Sequence, residues 1–269
     1  MHNYTEAKNV FIDEVRVDEY IGLESSKKAY DKLEQSFDRS IKMILLYGQP
    51  GTGKTMMLHR LYQNNRHQRD LHLIDTPLGN KKEFYSRLFT IFTGKMMPAN
   101  STVHFDTLVD YGRAVKGKRE IMILLDEAQM YPSELLEEIR ILSDTGSIKF
   151  IIALHKTTDE DVIAKEHFQS RIWESIELKN ASVNELKTYV YRRLLNRGLM
   201  EVANQFGQRQ HKFIFAMTKG NYRQCNKLLY SAFEIMEYYS EHEPDKMDYH
   251  QISMKILEMS AIKTGLIDV

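Results

Sequence analysis

Short apolar runs alternate with segments of helical periodicity along the first two-thirds of the chain. Runs of strand length cover residues 42–47, 71–75, 121–126, 150–154 and 175–178. Before and between these runs, apolar residues recur every three or four positions, as on the buried face of a helix, over residues 23–40, 81–92, 104–116 and 133–142. This alternation predicts an α/β fold with a parallel sheet covered by helices.

The strand pattern stops after residue 182, and helical periodicity alone continues to the end of the chain. Helices are predicted at about 183–196, 208–217, 221–239 and 249–263. We therefore expect three parts: an N-terminal extension at residues 1–22, an α/β core at residues 23–180, and an α-helical lid domain at residues 181–269.

Composition and charge favour a globular protein and argue against one that mainly coats nucleic acid. Hydrophobic residues make up 42% and charged residues 28% of the 269 positions, which is an ordinary globular mixture. Lys and Arg equal Asp and Glu at 37 each, and this zero net charge argues against a protein whose main task is to coat nucleic acid. DNA as a partner is therefore not indicated by net charge, although a local basic patch would be compatible with it.

The expected compartment is the cytoplasm. Cys225 is the single cysteine, which favours a reducing environment. The first residues lack the basic and apolar regions of a secretory signal, and the apolar runs fall short of the roughly 18–20 residues that span a bilayer. If the protein works at the inner membrane, we expect a protein partner to hold it there.

A phosphate-binding loop is predicted between the first strand and the following helix, which runs to about residue 64. Gly48-Gln49-Pro50-Gly51-Thr52-Gly53-Lys54-Thr55 fits the pattern Gly-x-x-x-x-Gly-Lys-Ser/Thr. Glycines let backbone N–H groups turn toward phosphates, and the helix N-terminus adds partial positive charge. Lys54 would reach the β- and γ-phosphates, Thr55 would bind Mg²⁺, and Met56 completes the predicted nucleotide-binding segment. A glycine-rich surface turn is the alternative.

Two acids end the strand at residues 121–125, in a Walker B arrangement. Asp126 is predicted to hold Mg²⁺, and Glu127 to polarise the attacking water. The alternative is a pair of acids that merely solvate a strand end. The guanine-specific Asn-Lys-x-Asp motif is absent, since Asn80-Lys81-Lys82-Glu83 ends in Glu, so ATP with Mg²⁺ is the expected ligand.

These motifs resemble the ExeA-like (general secretion pathway A) branch of AAA+ ATPases, which is related to the transposition ATPases TniB and TnsC. The resemblance covers about residues 20–235 and rests on Leu46–Thr55, Leu125–Gln129 with the helix 135–143, Ser170–Ile172 with 189–194, and Gly220–Arg223. It implies a P-loop NTPase three-layer sandwich with a parallel sheet and a small C-terminal helical lid.

The resemblance also implies roles for three further residues. The strand 150–154 would lie between the P-loop strand and the Asp126 strand, so that His155 at its tip faces the γ-phosphate; Lys156 is a rival, and an exposed histidine is the alternative. Arg171 would reach a neighbouring subunit's nucleotide, or else form a surface ion pair. Arg223 lies in the first turn of a lid helix, where its charge opposes the helix dipole, so we expect it to contact the nucleotide.

The expected activity is ATP hydrolysis in an assembly, with self-association into a ring or filament through Arg171. The first candidate role is to energise a cell-envelope machine for type II secretion, type IV pilus-like assembly or competence DNA uptake. The second is a DNA-associated regulator of transposition or other DNA transactions. A slow ATP-dependent switch is the third.

Overall fold

The computed structural model describes residues 3–96, 102–155, 172–246, 248 and 250–267. The strands are β1 (Met43–Gly48), β2 (Leu71–Ile74), β3 (Ile121–Leu125), β4 (Ile148–His155) and β5 (Glu174–Glu177). The α-helices of the described residues are α1 (Tyr4–Val10), α2 (Glu24–Ser36), α3 (Lys54–Asn65), α4 (Lys81–Thr93), α5 (Phe105–Val115), α6 (Ser133–Asp144), α7 (Val183–Leu195), α8 (Met200–Asn204), α9 (Gln208–Thr218), α10 (Tyr222–His242) and α11 (Met254–Lys263).

The chain forms two compact units. The sheet unit comprises Lys28–Gln49 and Lys54–Leu178, and the helical unit comprises Met1–Lys27, Pro50–Gly53 and Lys179–Val269. The three-part division expected from the sequence stays a prediction.

The sheet unit contains a five-stranded parallel sheet in the order β2-β3-β4-β1-β5. The predicted position of β4, between β3 and β1, is therefore confirmed. In register, Gly48 at the end of β1 pairs with His155 at the end of β4. Carboxyl ends of parallel strands meet at one edge of a sheet, so the residues that follow β1, β3 and β4 share one edge.

Both faces of this sheet are buried. All five residues of β3 are buried, as predicted for a central strand with helices on both sides. Along β1, Met43 and Leu45 belong to one apolar cluster, whereas Ile44 and Leu46 belong to the cluster on the opposite face. Burial of each such side chain stabilises the folded state by roughly 1.5–3 kcal/mol. The central strands therefore hold the residues at their carboxyl ends in fixed positions.

The helical unit has its own core, and the N-terminal segment belongs to it. Tyr4 and Phe11 stack on Phe233 of α10, with ring centroids 6.4 Å and 5.8 Å apart. Ala7 and Val10 are buried in the same cluster. No helix is predicted in this segment from the sequence, although apolar residues at positions 4, 7, 10 and 11 follow helical spacing.

Some element boundaries differ from the prediction, and α8 was not predicted. Helix α2 ends at Ser36 rather than near residue 40, and a turn follows. Helix α11 begins at Met254 rather than 249, because the backbone of Ile252 pairs with Gln205 and Gln210 instead of continuing a helix. Among the described residues, no helix is both long enough and apolar enough to cross a membrane.

Candidate nucleotide-binding site

The loop between β1 and α3 depends on two glycines in the left-handed region. Gly51 has φ +82° and Gly53 has φ +93°, a conformation that side chains with a Cβ rarely adopt. Gly51 has a second constraint, because a Cβ added there would lie 2.5 Å from Asn221 Oδ1 and 2.7 Å from Arg223 Cβ. Glycine is therefore required at position 51 for conformation and for close approach.

Lys54, the first residue of α3, is buried with its ammonium group turned back toward the loop. Its side chain Nζ donates to the carbonyl of Gly48 at 2.9 Å and to that of Gln49 at 3.1 Å. The residue is only 5% exposed. Because a buried cation is costly without partners, these carbonyls hold the charge in place at the end of β1.

Thr55, in the first turn of α3, contacts Asp126, which follows the end of β3. Thr55 Oγ1 donates to Asp126 Oδ2 at 2.5 Å, and the Glu127 N–H donates to Asp126 Oδ1 at 2.9 Å. Burial raises the pKa of Asp126 above its usual value, while these two hydrogen bonds and Lys54 oppose the rise and Glu127 adds to it. A desolvated carboxylate of this kind gains stability from a nearby cation.

The oxygen pair of Thr55 and Asp126 could hold a hard divalent cation such as Mg²⁺. Mg²⁺ takes hard oxygen ligands, usually one or two from protein and the others from phosphates and water. Among the described residues, no group of three or more His, Cys, Asp or Glu side chains could hold a metal by itself.

Glu127 is held by two polar neighbours. Its backbone is left-handed, with φ +50°, directly after β3. Its Oε2 accepts a short hydrogen bond from Gln129 Nε2 and lies 3.2 Å from His155 Nε2. The structure thus brings His155, at the tip of β4, to Glu127. Gln129 was missed by the sequence analysis, which had treated it only as part of the motif that resembles a family.

The start of α10 lies against the loop within the helical unit. Asn221 caps the helix, since its Oδ1 accepts from Gln224 N, and its Nδ2 donates to the Pro50 carbonyl at 2.7 Å. Arg223 lies in the first turn, as predicted, and its Nε lies 2.9 Å from Asp13 Oδ2 in an exposed ion pair. A contact of Arg223 with nucleotide stays a prediction.

Comparisons with known proteins identify the fold. Residues 38–160 match the sequence family described as an AAA domain. The Aeropyrum pernix ORC1 protein in complex with DNA is similar in structure, with a TM-score of 0.64 and 15% identity over 95% of this chain and 69% of that one. The Thermotoga maritima RuvB Holliday junction branch migration motor is also similar, with a TM-score of 0.59 and 18% identity over 96% of this chain and 76% of that one. The fold is the AAA+ fold.

A third similar structure is domain III of the Thermotoga maritima replication initiation protein DnaA, with a TM-score of 0.53 and 15% identity over 94% of this chain and 98% of that one. The search of curated proteins found no match. These findings do not distinguish an ExeA-like branch from other AAA+ branches, so that resemblance stays a prediction.

Three predicted residues of the AAA+ site are not placed by contacts. Lys156 and Arg171 lie outside the described residues. Met56 is a partly buried residue in the first turn of α3. The roles of all three stay predictions.

Proposed function

We propose that this protein is a magnesium-dependent ATPase. The observation that carries the proposal is the contact between Thr55 and Asp126 beside the buried ammonium of Lys54. A buried ammonium group, a hydroxyl and a carboxylate at one sheet edge, beside a loop with left-handed glycines at positions 51 and 53, are a combination that suits phosphates and a divalent metal. A glycine-rich surface turn would require none of these.

Each residue has a defined role in this proposal. Lys54 and the loop Gly48–Thr55 bind the phosphates, and Thr55 and Asp126 hold Mg²⁺, which when bound neutralises phosphate charge. Glu127 orients and polarises the attacking water, and we assign His155, which contacts Glu127, to sensing the γ-phosphate. The nucleotide is ATP rather than GTP, because the chain lacks the guanine-specific motif.

The decisive experiment separates nucleotide binding from hydrolysis. Glu127→Gln should keep ATP affinity within about twofold and slow turnover by about 10²–10⁴, the range typical of a general base. Lys54→Ala should lose ATP binding, while Lys118→Ala, which removes an exposed lysine, should change neither. Fluorescent ATP binding and phosphate release would measure both properties. Equal turnover by wild type and Glu127→Gln would rule out the proposed chemistry.

We further propose that hydrolysis occurs in a self-associated form through Arg171. An arginine supplied by a neighbouring subunit stabilises the transition-state charge. Specific activity should then rise with protein concentration, and Arg171→Ala should lower turnover without lowering ATP affinity. Sedimentation with ATP would report the assembly; activity that is independent of protein concentration and of Arg171 would exclude this arrangement.

The object of the ATPase has two candidates, and the first follows from the ExeA-like motifs. It is a cell-envelope machine, in which a partner would hold the protein at the membrane. The slow switch is disfavoured because the chain retains Glu127, the residue assigned to polarise the attacking water.

A charge asymmetry favours the second candidate, a DNA-associated role. Residues 179–227 hold ten Lys and Arg against two Asp and Glu, whereas residues 228–269 hold three against eight. On α9, exposed Arg209 and Lys212 are three positions apart and therefore lie on one side of the helix, and exposed Lys219 follows directly after its last residue. Within the described part of the chain, these three cations form no ion pair. Their charges are thus available to phosphates.

DNA binding and DNA-stimulated ATPase activity test this role. Substituting Glu at both Lys212 and Lys219 should weaken DNA binding and reduce the slope of log K against log salt by about two. Lys255→Glu, in the acidic segment, is the matched control. If DNA does not change the ATPase activity at low salt, the DNA-associated role is excluded and the cell-envelope machine remains the candidate.

A further inference from the structure

Gln129 uses both ends of its side-chain amide at the hydrolytic edge of the sheet. It lies on a short 3₁₀ turn, Ala128–Met130, that follows Glu127. Its Nε2 donates to Glu127 Oε2, and its Oε1 accepts from the backbone N–H of His155 at 3.2 Å. The same Nε2 lies 3.4 Å from His155 Nδ1, and His155 Nε2 lies 3.2 Å from Glu127 Oε2. The three side chains therefore form one closed group.

We propose that Gln129 is a positioning residue that ties the carboxylate of Glu127 to the end of β4. The inference rests on the proposed function, because it assigns a purpose to the orientation of Glu127. Residue 155 is a suitable anchor since β4 is paired on both sides, with β3 and with β1. Through the register pair of His155 and Gly48, the anchor is also adjacent to the start of the phosphate-binding loop.

The chemistry of the group requires an amide at position 129. The His155 N–H needs an acceptor, and the Glu127 carboxylate needs a donor, and a glutamine of this length supplies both. A glutamate would keep the acceptor but place a second carboxylate against Glu127. A leucine fills a similar volume but supplies neither hydrogen bond.

The group also decides which oxygen of Glu127 is available to water. Gln129 and His155 both contact Oε2, so we assign Oε1 to the attacking water. The left-handed backbone of Glu127 sets the direction from which its side chain leaves the strand, and the contacts to Oε2 then set the carboxylate plane. Displacement of a reacting group by about 1 Å can cost roughly 100-fold in rate, so loss of this restraint should slow hydrolysis strongly.

The test is a double-mutant cycle between positions 127 and 129, measured by single-turnover ATP hydrolysis with the full chain in excess. Gln129→Leu should lower the rate about 10–100-fold and leave ATP affinity within about twofold. In the Glu127→Gln background, the same substitution should cause no further loss, because Gln129 acts only through Glu127. Gln68→Leu, at an exposed glutamine, is the control and should behave as wild type.

Gln129→Glu provides a second route should Gln129→Leu fail to fold. It keeps the acceptor for the His155 N–H, and the same loss of rate without loss of affinity is expected. Equal losses in the wild-type and Glu127→Gln backgrounds would overturn the inference, as would an unchanged or increased rate in both position-129 variants. If Glu127→Gln itself hydrolyses ATP like wild type, the proposed function fails instead, so the two failures are distinguishable.

Discussion

Substitution of Gly220 tests how the helix that carries Arg223 is connected to its unit. Gly220 has φ +78°, and a Cβ added there would lie 2.0 Å from the carbonyl oxygen of Ala181. The Ala181 N–H donates to the Gly220 carbonyl at 2.9 Å, so the two backbones are already in contact. Gly198 is a matched control in the same unit, with φ +74° and no atom within 4 Å of an added Cβ.

The expected cost follows from three contributions. A left-handed alanine costs about 1–2 kcal/mol at either glycine. At Gly220 the backbones must also separate, which removes one hydrogen bond worth about 1 kcal/mol. Forced repacking adds about 1–3 kcal/mol. Gly220→Ala should therefore destabilise the helical unit by about 4 kcal/mol and Gly198→Ala by about 1 kcal/mol, since the alanine also restricts the unfolded chain slightly.

Cys225 offers a reporter of this effect. It is the only cysteine, it is buried in α10, and burial raises the pKa of its thiol to about 12. A thiol reagent can therefore react only through opening of the unit, at a rate proportional to the opening equilibrium. Relative to wild type, labelling should accelerate about 10³-fold in Gly220→Ala and about 5–10-fold in Gly198→Ala. Equal accelerations would refute the contribution of the Ala181 contact.

Two further predictions concern protons and magnesium. Burial, aided by Lys187, lowers the pKa of His211 to about 4, whereas an unfolded histidine titrates near 6.5. Between these two pKa values the unfolded chain binds one more proton than the folded chain, so the free energy of unfolding should fall by about 3 kcal/mol from pH 6.5 to 4. Urea titrations at several pH values would measure this pH dependence. It should disappear in His211→Phe and persist in His67→Gln. Thr55→Val should raise the Mg²⁺ concentration for half-maximal hydrolysis at least about tenfold, without weakening metal-free ATP binding; an unchanged Mg²⁺ dependence would show that Thr55 is not a ligand.

The parts of the site that lie on one continuous stretch could be predicted from the sequence. The loop between β1 and α3 is a local structure, in which glycines at positions 51 and 53 are needed for the backbone itself. The apolar run at 121–125 likewise identified a buried central strand, because a strand covered on both faces has no polar alternation. The parallel α/β fold followed from the regular alternation of such runs with amphipathic helices.

Contacts between distant parts of the chain were decided only by the tertiary structure. The sequence suggested His155 as a strand-tip residue, but its contact with Gln129 depends on the order and register of β3 and β4. Arg223 pairs with Asp13, which lies 210 residues earlier and carries no local motif. The periodicity of apolar residues indicates which side of a helix or strand is buried. Which residues that side contacts depends on how the elements pack in the tertiary structure.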